Sequence, residues 1–319
     1  MEDNKINKSL KVSVIIVTWN SGEFINKCLS SLFKNESTLE YEVIVVDNGS
    51  LDGSIDKLDY DHNSVRIIRN QHNLGFAKAN NIGIFNACAK TLFLLNPDVT
   101  PQVSSIQKLY ELLWSDFKIG AVGGKLIGEN GEVQVGFNVR AFPTLISVAF
   151  DLLLINKIFI RNPINNMYRL LKMDYSKCQE VDQPAAACLM LKKEVIDIIG
   201  LFDERFFPAW FEDVDLCRRI KQGGWRIMYH PGAEFIHVGS HSLDNLSVSD
   251  FLLSYYRNMT RYFKKNQGLM VSCIVRILII FGMVARIIGS VSNFRDNSKN
   301  RKELWNAYGN ILVKCFQGL

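Results

Sequence analysis

Apolar residues change their spacing along this chain, and the changes mark out alternating strands and helices. Val12 to Val17 (VSVIIV) is a near-continuous β-branched run, the composition of a strand buried on both faces. Beyond it Phe24, Cys28, Leu29 and Leu32 fall at helical spacing across 22–33, and a second strand-like run follows at 43–46. The pattern then predicts a strand at 65–68, a helix over 77–89 and a strand at 92–95, each bounded by polar turn residues. It resumes with a strand at 185–191, a helix near 193–199, and a helix opened by Phe211-Glu212-Asp213-Val214-Asp215-Leu216 and closed by Gly223-Gly224. Strands at 226–229 and 234–238 complete it. Such alternation specifies a doubly wound, predominantly parallel α/β sheet. Ligands of such sheets sit beyond the carboxyl ends of the strands, where the loops converge.

The C-terminal quarter reads differently. Residues 269–289 are apolar and about long enough to span a bilayer, but Arg276 and Arg286 interrupt them, at ~2.5 to 3.5 kcal/mol for a central Arg. A helix lying in the membrane interface fits better, the alternative being a helix packed on the catalytic core or on a second copy. Between Arg257 and Lys302 there are ten basic residues and one acid, Asp296, an excess that favours an anionic lipid surface. Leu145 to Ile160 is a second apolar stretch, interrupted by Asp151 and Asn156. The organisation expected is a polar tail over 1–10, a catalytic domain over 11–243 and a basic, apolar helical region over 244–319.

Net charge is only +5, too little to argue for nucleic acid. Seven cysteines without regular spacing suit neither a disulfide framework nor a CxxC zinc site, and imply a reducing compartment. The opening MEDNKINKSL lacks the basic start and apolar run of a secretory signal.

Three polar loops follow the strands of the first half. Thr18-Trp19-Asn20 ends the first; Asp47-Asn48-Gly49-Ser50 ends the second, with a glycine that permits close backbone approach to a base or ribose. Asp47 could equally cap a following helix. Asn96-Pro97-Asp98 aims one carboxylate out of the sheet, where a hard cation could bridge it to a diphosphate, and Asn96 makes this a reduced DxD. Asp98 could also be a solvated loop residue. Glu212, Asp213 and Asp215 at a helix start complement the dipole; flanked by Pro208, Trp210 and Phe211, they also suit a desolvated pocket holding a general base. His237 is either a core histidine or a ligand that, with carboxylates, forms a divalent site open to phosphate oxygens.

The ordered set VSVIIVTWN, EVIVVDNGSLDGS, NLGFAKANNIGI, LFLLNPDV, AAACLMLKKEV and GLFDERFFPAWFEDVDLCRRIKQGGWRIMYHPGAEFIHVGSHS resembles the family 2 glycosyltransferases, in their bacterial rhamnosyltransferase-like branch. The resemblance covers about 11–243 and implies a GT-A fold. It implies that Thr18, Asn20 and Asp47 bind base and ribose while Asn48, Gly49 and Ser50 shape the turn. Gly75, Lys78, Asn80, Asn81 and Asn96 would border the donor, and Asp98 with His237 would hold Mg²⁺ or Mn²⁺. It makes Asp213 the catalytic base, with Glu212 or Asp215 binding or orienting the acceptor, in an inverting transfer. The donor it implies is dTDP-L-rhamnose, or else a UDP- or other nucleotide sugar. The acceptor would be a glycan or polyprenyl-linked saccharide of cell-surface polysaccharide synthesis, met at the cytoplasmic face of the inner membrane. Homo-oligomers are compatible with it.

Two rivals are weighed. A dinucleotide oxidoreductase would need GxGxxG after the first strand, which is absent, and Gly123-Gly124-Lys125 runs into Leu126 rather than completing a P-loop. A catalytically silent glycan-binding or scaffolding protein on the same fold remains the alternative, against which Asp98, Asp213 and His237 stand intact.

Overall fold

The computed structural model describes residues 10–34, 39–58, 65–239, 246–292 and 298–318. The expected polar tail, apart from Leu10, and the expected boundary at 243/244 lie outside the described residues.

Both faces of the first strands are buried, as the β-branched runs require. Along β1 (Val12–Thr18), Ile16 packs into a core with α1 (Phe24–Lys34), while neighbouring Ile15 points to the opposite core. β1 pairs in parallel with β2 (Tyr41–Asp47), bringing Thr18 opposite Asp47, and β2 pairs in parallel with β3 (Val65–Arg69). α2 (Phe76–Asn86) crosses to β4 (Thr91–Leu95) on the other side of β1, so strand order reverses there and a crevice opens. The helix expected over 77–89 stops three residues early because Ala87 turns extended, its N–H closing on Ile84 O.

Short β5 (Val99–Pro101), α3 (Ser105–Ser115), β6 (Ile119–Ile127) and β7 (Val139–Arg140) lead into α4 (Leu145–Leu152), α5 (Ile155–Ile158) and α6 (Pro163–Tyr168). β8 (Gln179–Glu180) and β9 (Gln183–Pro184) precede β10 (Cys188–Lys192), which inserts antiparallel between β4 and β6. The strand expected from 185 starts at 188, because Cys188 N–H closes a turn on Ala185 O. α7 (Lys193–Ile199) and α8 (Glu212–Gln222) then cover the core that holds α2, while α3 joins α1 on the other. The two strands expected near 226–238 are one, β11 (Arg226–His237), with a register shift between His230 and Glu234. Pro231, which cannot donate to a ladder, lies within that shift. The order is β3-β2-β1-β4-β10-β6-β11-β5, with β8 beside β11.

A third core joins α4 and the 206–211 loop to three C-terminal helices, Val248–Gln267, Leu269–Ser292 and Ser298–Gln317. The second of these is the one described helix long and apolar enough to cross a membrane. It packs on protein through Val275, Ile279 and Met283. Arg286 is turned inward, donating to Leu152 O and Gly282 O, so its charge does not interrupt the outer face. That outer face carries Met270, Ile274, Ile277, Phe281, Val284 and Ile288, all exposed and spaced by three or four residues.

Candidate active site

Three loops of the crevice are tied together by short polar contacts. Asn20 adopts a left-handed backbone (φ 48°), its N–H donating to Ser50 Oγ at 2.9 Å while its Oδ1 accepts from Leu51 N–H at 2.7 Å. Asp47 Oδ1 accepts from Ser50 N–H at 3.0 Å and no helix lies over 48–58, so it holds the 47–50 turn rather than capping a helix. Thr18 Oγ1 lies 2.6 Å from Ser21 Oγ, and its carbonyl accepts from Asn48 N–H. Buried Asn48 is spent on shaping the next loop, accepting from Asn70 and Leu74 and donating to Asn73. Gly49 is required as such: φ is +78° and a Cβ would lie 2.7 Å from the His72 backbone.

The segment from Gly75 to Asn81 joins this polar cluster to the acidic half. Phe76 N–H donates to Pro208 O at 2.7 Å, and a Cβ on Gly75 would meet Phe207 at 2.8 Å. Lys78 approaches Glu204 at 3.9 Å, and Asn80 donates back to Phe76 O within its own helix. Asn81 takes both halves of its amide to Phe202, donating to its carbonyl and accepting from its N–H at 3.0 Å. With that amide committed, Asn81 anchors the 202–208 loop beside the expected donor border.

Asp98 and His237 meet because β11 runs antiparallel to β5, placing His237 opposite Val99, and Val238 N–H donates to Asp98 O at 3.1 Å. His237 Nε2 lies 3.5 Å from Asp98 Oδ2, both side chains buried, with Asp98 only 8% exposed. Gln134 fixes the tautomer. Its Nε2 donates to His237 O at 2.8 Å, since a carbonyl can only accept, and this leaves its Oε1 to accept from Nδ1–H at 2.7 Å. Nε2 therefore presents its lone pair toward the carboxylate. Imidazole and carboxylate oxygen facing each other, with the distal nitrogen held by a second residue, is the donor chemistry of a divalent-cation site. Phe137 stacks on the imidazole at 5.0 Å and fixes its plane. No third His, Cys, Asp or Glu joins them among the described residues, so the second carboxylate expected to converge there is absent, and remaining positions are open to ligand oxygens.

Asp213 sits in the first turn of α8, where the helix N-terminus favours a carboxylate. It accepts from Gln183 Nε2 at 2.9 Å and from the N–H of Val214, with the Arg140 guanidinium nearby. Burial outweighs these and raises its pKa above the ordinary carboxylate value. Glu212, 5% exposed and with Oε2 unpartnered among the described residues, is raised well above its usual value by burial and then by Asp213. Asp215 is a different case. It is fully buried and its Oδ2 accepts from Arg219 Nε at 2.9 Å and Lys265 Nζ at 2.8 Å, so it ties α8 to the first C-terminal helix; of the binding or orienting role expected of it, that burial is compatible with orienting.

One strap, 183–187, connects the Asp98 loop and the acidic turn: Gln183 Nε2 donates to Asp213, while Ala187 O accepts from Asn96 N–H at 2.9 Å. The residues leading into the acidic turn are strained. Trp210 and Phe211 hold φ of 77° and 72°, which large side chains rarely adopt. Packing over-determines them: Trp210 lies edge-on to Phe251 at 4.8 Å, Phe211 packs on Tyr255 and Tyr262, and buried Asn258 donates to the carbonyls of Phe207 and Ala209. Sequence reading missed Gln134, Phe137, Gln183, Arg140 and Asn258. Each is an ordinary residue in an unremarkable local pattern, and none carries a motif that would have singled it out.

The chain is similar to several known proteins. The M. tuberculosis N-acetylglucosaminyl-diphospho-decaprenol L-rhamnosyltransferase is 29% identical over 240 residues, covering 72% of this chain and 76% of that protein. The S. aureus TarS 1–349 crystal structure matches 96% of this chain and 80% of its own, at 18% identity and a TM-score of 0.53. Mannosyltransferase PcManGT from Pyrobaculum calidifontis, solved with GDP-Man and Mn²⁺, matches 95% of this chain and 87% of its own, at 13% identity and a TM-score of 0.57. At those identities the two structures speak for the GT-A fold alone. The family model described as Glycosyl transferase family 2 matches residues 13–194, more than half of the chain, and the chain therefore belongs to glycosyl transferase family 2.

Proposed function

We propose that this chain is an inverting, metal-dependent glycosyltransferase that moves L-rhamnose from dTDP-L-rhamnose to a lipid-linked saccharide, at the cytoplasmic face of the inner membrane, in cell-surface polysaccharide synthesis. The observation that carries the reading is the strap over 183–187, which couples Asp213, a half-buried carboxylate of raised pKa, to the loop bearing Asp98, where Asp98 faces His237. Thr18, Asn20, Asp47 and Ser50 form the base and ribose side, and Asn48, Gly49, Gly75 and Lys78 shape it. Asp98 and His237 would hold Mg²⁺ or Mn²⁺, which when bound supplies positive charge against the departing nucleotide diphosphate. Asp213 removes the proton from the acceptor hydroxyl. That oxygen attacks the anomeric carbon from the face opposite the diphosphate, which leaves with the bonding electron pair, inverting the centre. Gln183, Val214 N–H and Arg140 keep the carboxylate aimed and recover its charged form.

Donor and acceptor classes follow the printed name of the mycobacterial relative, whose acceptor is a diphospho-lipid. The exposed apolar stripe from Met270 to Ile288 supports docking on an anionic membrane surface. A thermal-shift screen of dTDP-rhamnose, UDP-sugars and GDP-sugars with Mg²⁺, Mn²⁺ or EDTA tests the donor. One nucleotide sugar should stabilise the protein only with metal, and Asp98→Ala should erase that shift. No shift with any donor would leave the silent binding protein as the better reading.

A further inference from the structure

A cleft of about 600 Å³ lies between α4–α6 and the C-terminal helices, apart from the crevice that holds Asp98 and Asp213. That volume suits a specific organic ligand. Its wall has two characters. Leu154 and Ile160 contribute apolar surface, while Lys157, Arg169 and Arg286 set three cations against one carboxylate, Asp151. Asp151 is already engaged, by Asn156 and by Arg169 at 3.4 Å, so the cleft keeps a positive excess. A free sugar needs no such charge, and a bare anion gains nothing from the apolar wall.

Both ends of the cleft are informative. Outward, Ile158, Phe159 and Ile160 are consecutive exposed apolar residues at the Lys157 rim. Arg286 reaches in from the helix whose opposite face carries the exposed stripe. Inward, the cleft is walled by neighbours of the reacting groups. Val135 follows Gln134, which grips His237, and Tyr255 packs at 5.4 Å on Phe211, the residue before Glu212 and Asp213.

We propose that this cleft seats the diphosphate and first prenyl units of the lipid-linked acceptor, an inference that rests on the lipid-linked reading above. Lys157, Arg169 and Arg286 hold the diphosphate, Leu154 and Ile160 hold the prenyl chain, and the sugar extends past Tyr255 toward Asp213.

Titration calorimetry of the full chain with geranyl diphosphate, in EDTA and without nucleotide sugar, tests it. Geranyl diphosphate should bind at least tenfold more tightly than inorganic pyrophosphate or geraniol. Lys157→Glu and Ile160→Ser, both at exposed positions, should each weaken it about tenfold while the melting temperature holds. Absence of binding, equal affinity for pyrophosphate alone, or variants that bind as the parent would each overturn the assignment. So would displacement of geranyl diphosphate by phosphatidylglycerol vesicles at equal phosphate, which would mark a general lipid-surface site. None of these readings requires turnover, so a failed rhamnosyl transfer with intact prenyl diphosphate binding would sink the donor assignment and leave the cleft standing.

Discussion

The α/β body and the C-terminal helical layer both contain long apolar runs, yet they use them in opposite ways. In the body, adjacent residues such as Ile15 and Ile16 go to different cores, and every position of β4 and β10 is buried. In the layer, the helix Leu269–Ser292 buries Val275, Ile279 and Met283 but leaves Ile277 and Phe281 51% and 60% exposed. A contiguous apolar face of that kind, left outward, marks an interaction surface rather than a stability element. The layer also reaches back into the body, because its first helix holds the strained Trp210-Phe211 turn that delivers Asp213.

The largest expected effect tests the body. Asp213→Asn should lower single-turnover transfer about 10³-fold, as loss of a general base does, with metal and donor affinity retained. Near-normal turnover would remove Asp213 from that role.

Next comes a contrast between the two faces of one helix. Ile279→Ala should cost about 2 to 5 kcal/mol in urea unfolding, from lost burial and a residual cavity. The pair Ile277→Ser and Phe281→Ser should change stability by only about 0.5 kcal/mol each yet abolish sedimentation with anionic liposomes. Liposome binding that survives in the pair would assign the stripe to another partner, and a shift from dimer to monomer would identify it as a second copy.

Smaller is the effect of Gln134→Leu, which leaves both cation ligands in place but frees the imidazole to rotate or change tautomer. Metal affinity should fall about 10- to 100-fold, read by Mn²⁺ titration, with donor base recognition unchanged. Unchanged metal affinity would show that Gln134 does not set the tautomer that matters.

The smallest is a pH dependence. Burial raises both Glu212 and Asp213, so between the ordinary carboxylate pKa and the raised one the folded state binds more protons than the unfolded. Stability from these groups is thus greatest at low pH and falls as pH rises through that window, while activity rises as Asp213 ionises. Glu212→Gln should flatten the fall in urea midpoint as pH rises above the ordinary carboxylate pKa. An unaltered slope would show that Glu212 is not the buried acid responsible.

How much could be read in advance differs by residue. Strands near 12 and 43 were legible because two-sided burial imposes continuous β-branched composition, and that near 92 because it imposes an unbroken apolar run. Asp98 and His237 were recognisable as candidates, because a carboxylate after a strand and a lone histidine are chemically conspicuous. The anchoring contacts of Asn81 and Asp215 were not legible: their partners, Phe202 and Lys265, lie far away in the chain and carry no pattern that points back. The orientation of His237 depends on Gln134, one glutamine among several, and became visible only as geometry.

By itself the sequence determined the periodicities, and through them the α/β class, the crevice loops and the family resemblance, because side-chain alternation and turn chemistry act over a few residues. Tertiary structure alone decided which carboxylate reaches solvent and which is locked in an ion pair. It also decided which face of the long C-terminal helix stays outward, and that the Trp210-Phe211 turn is propped from behind. Those outcomes depend on which distant groups approach within hydrogen-bond or van der Waals distance, and so on how β10 inserts, how β11 bends and how the helices close over them.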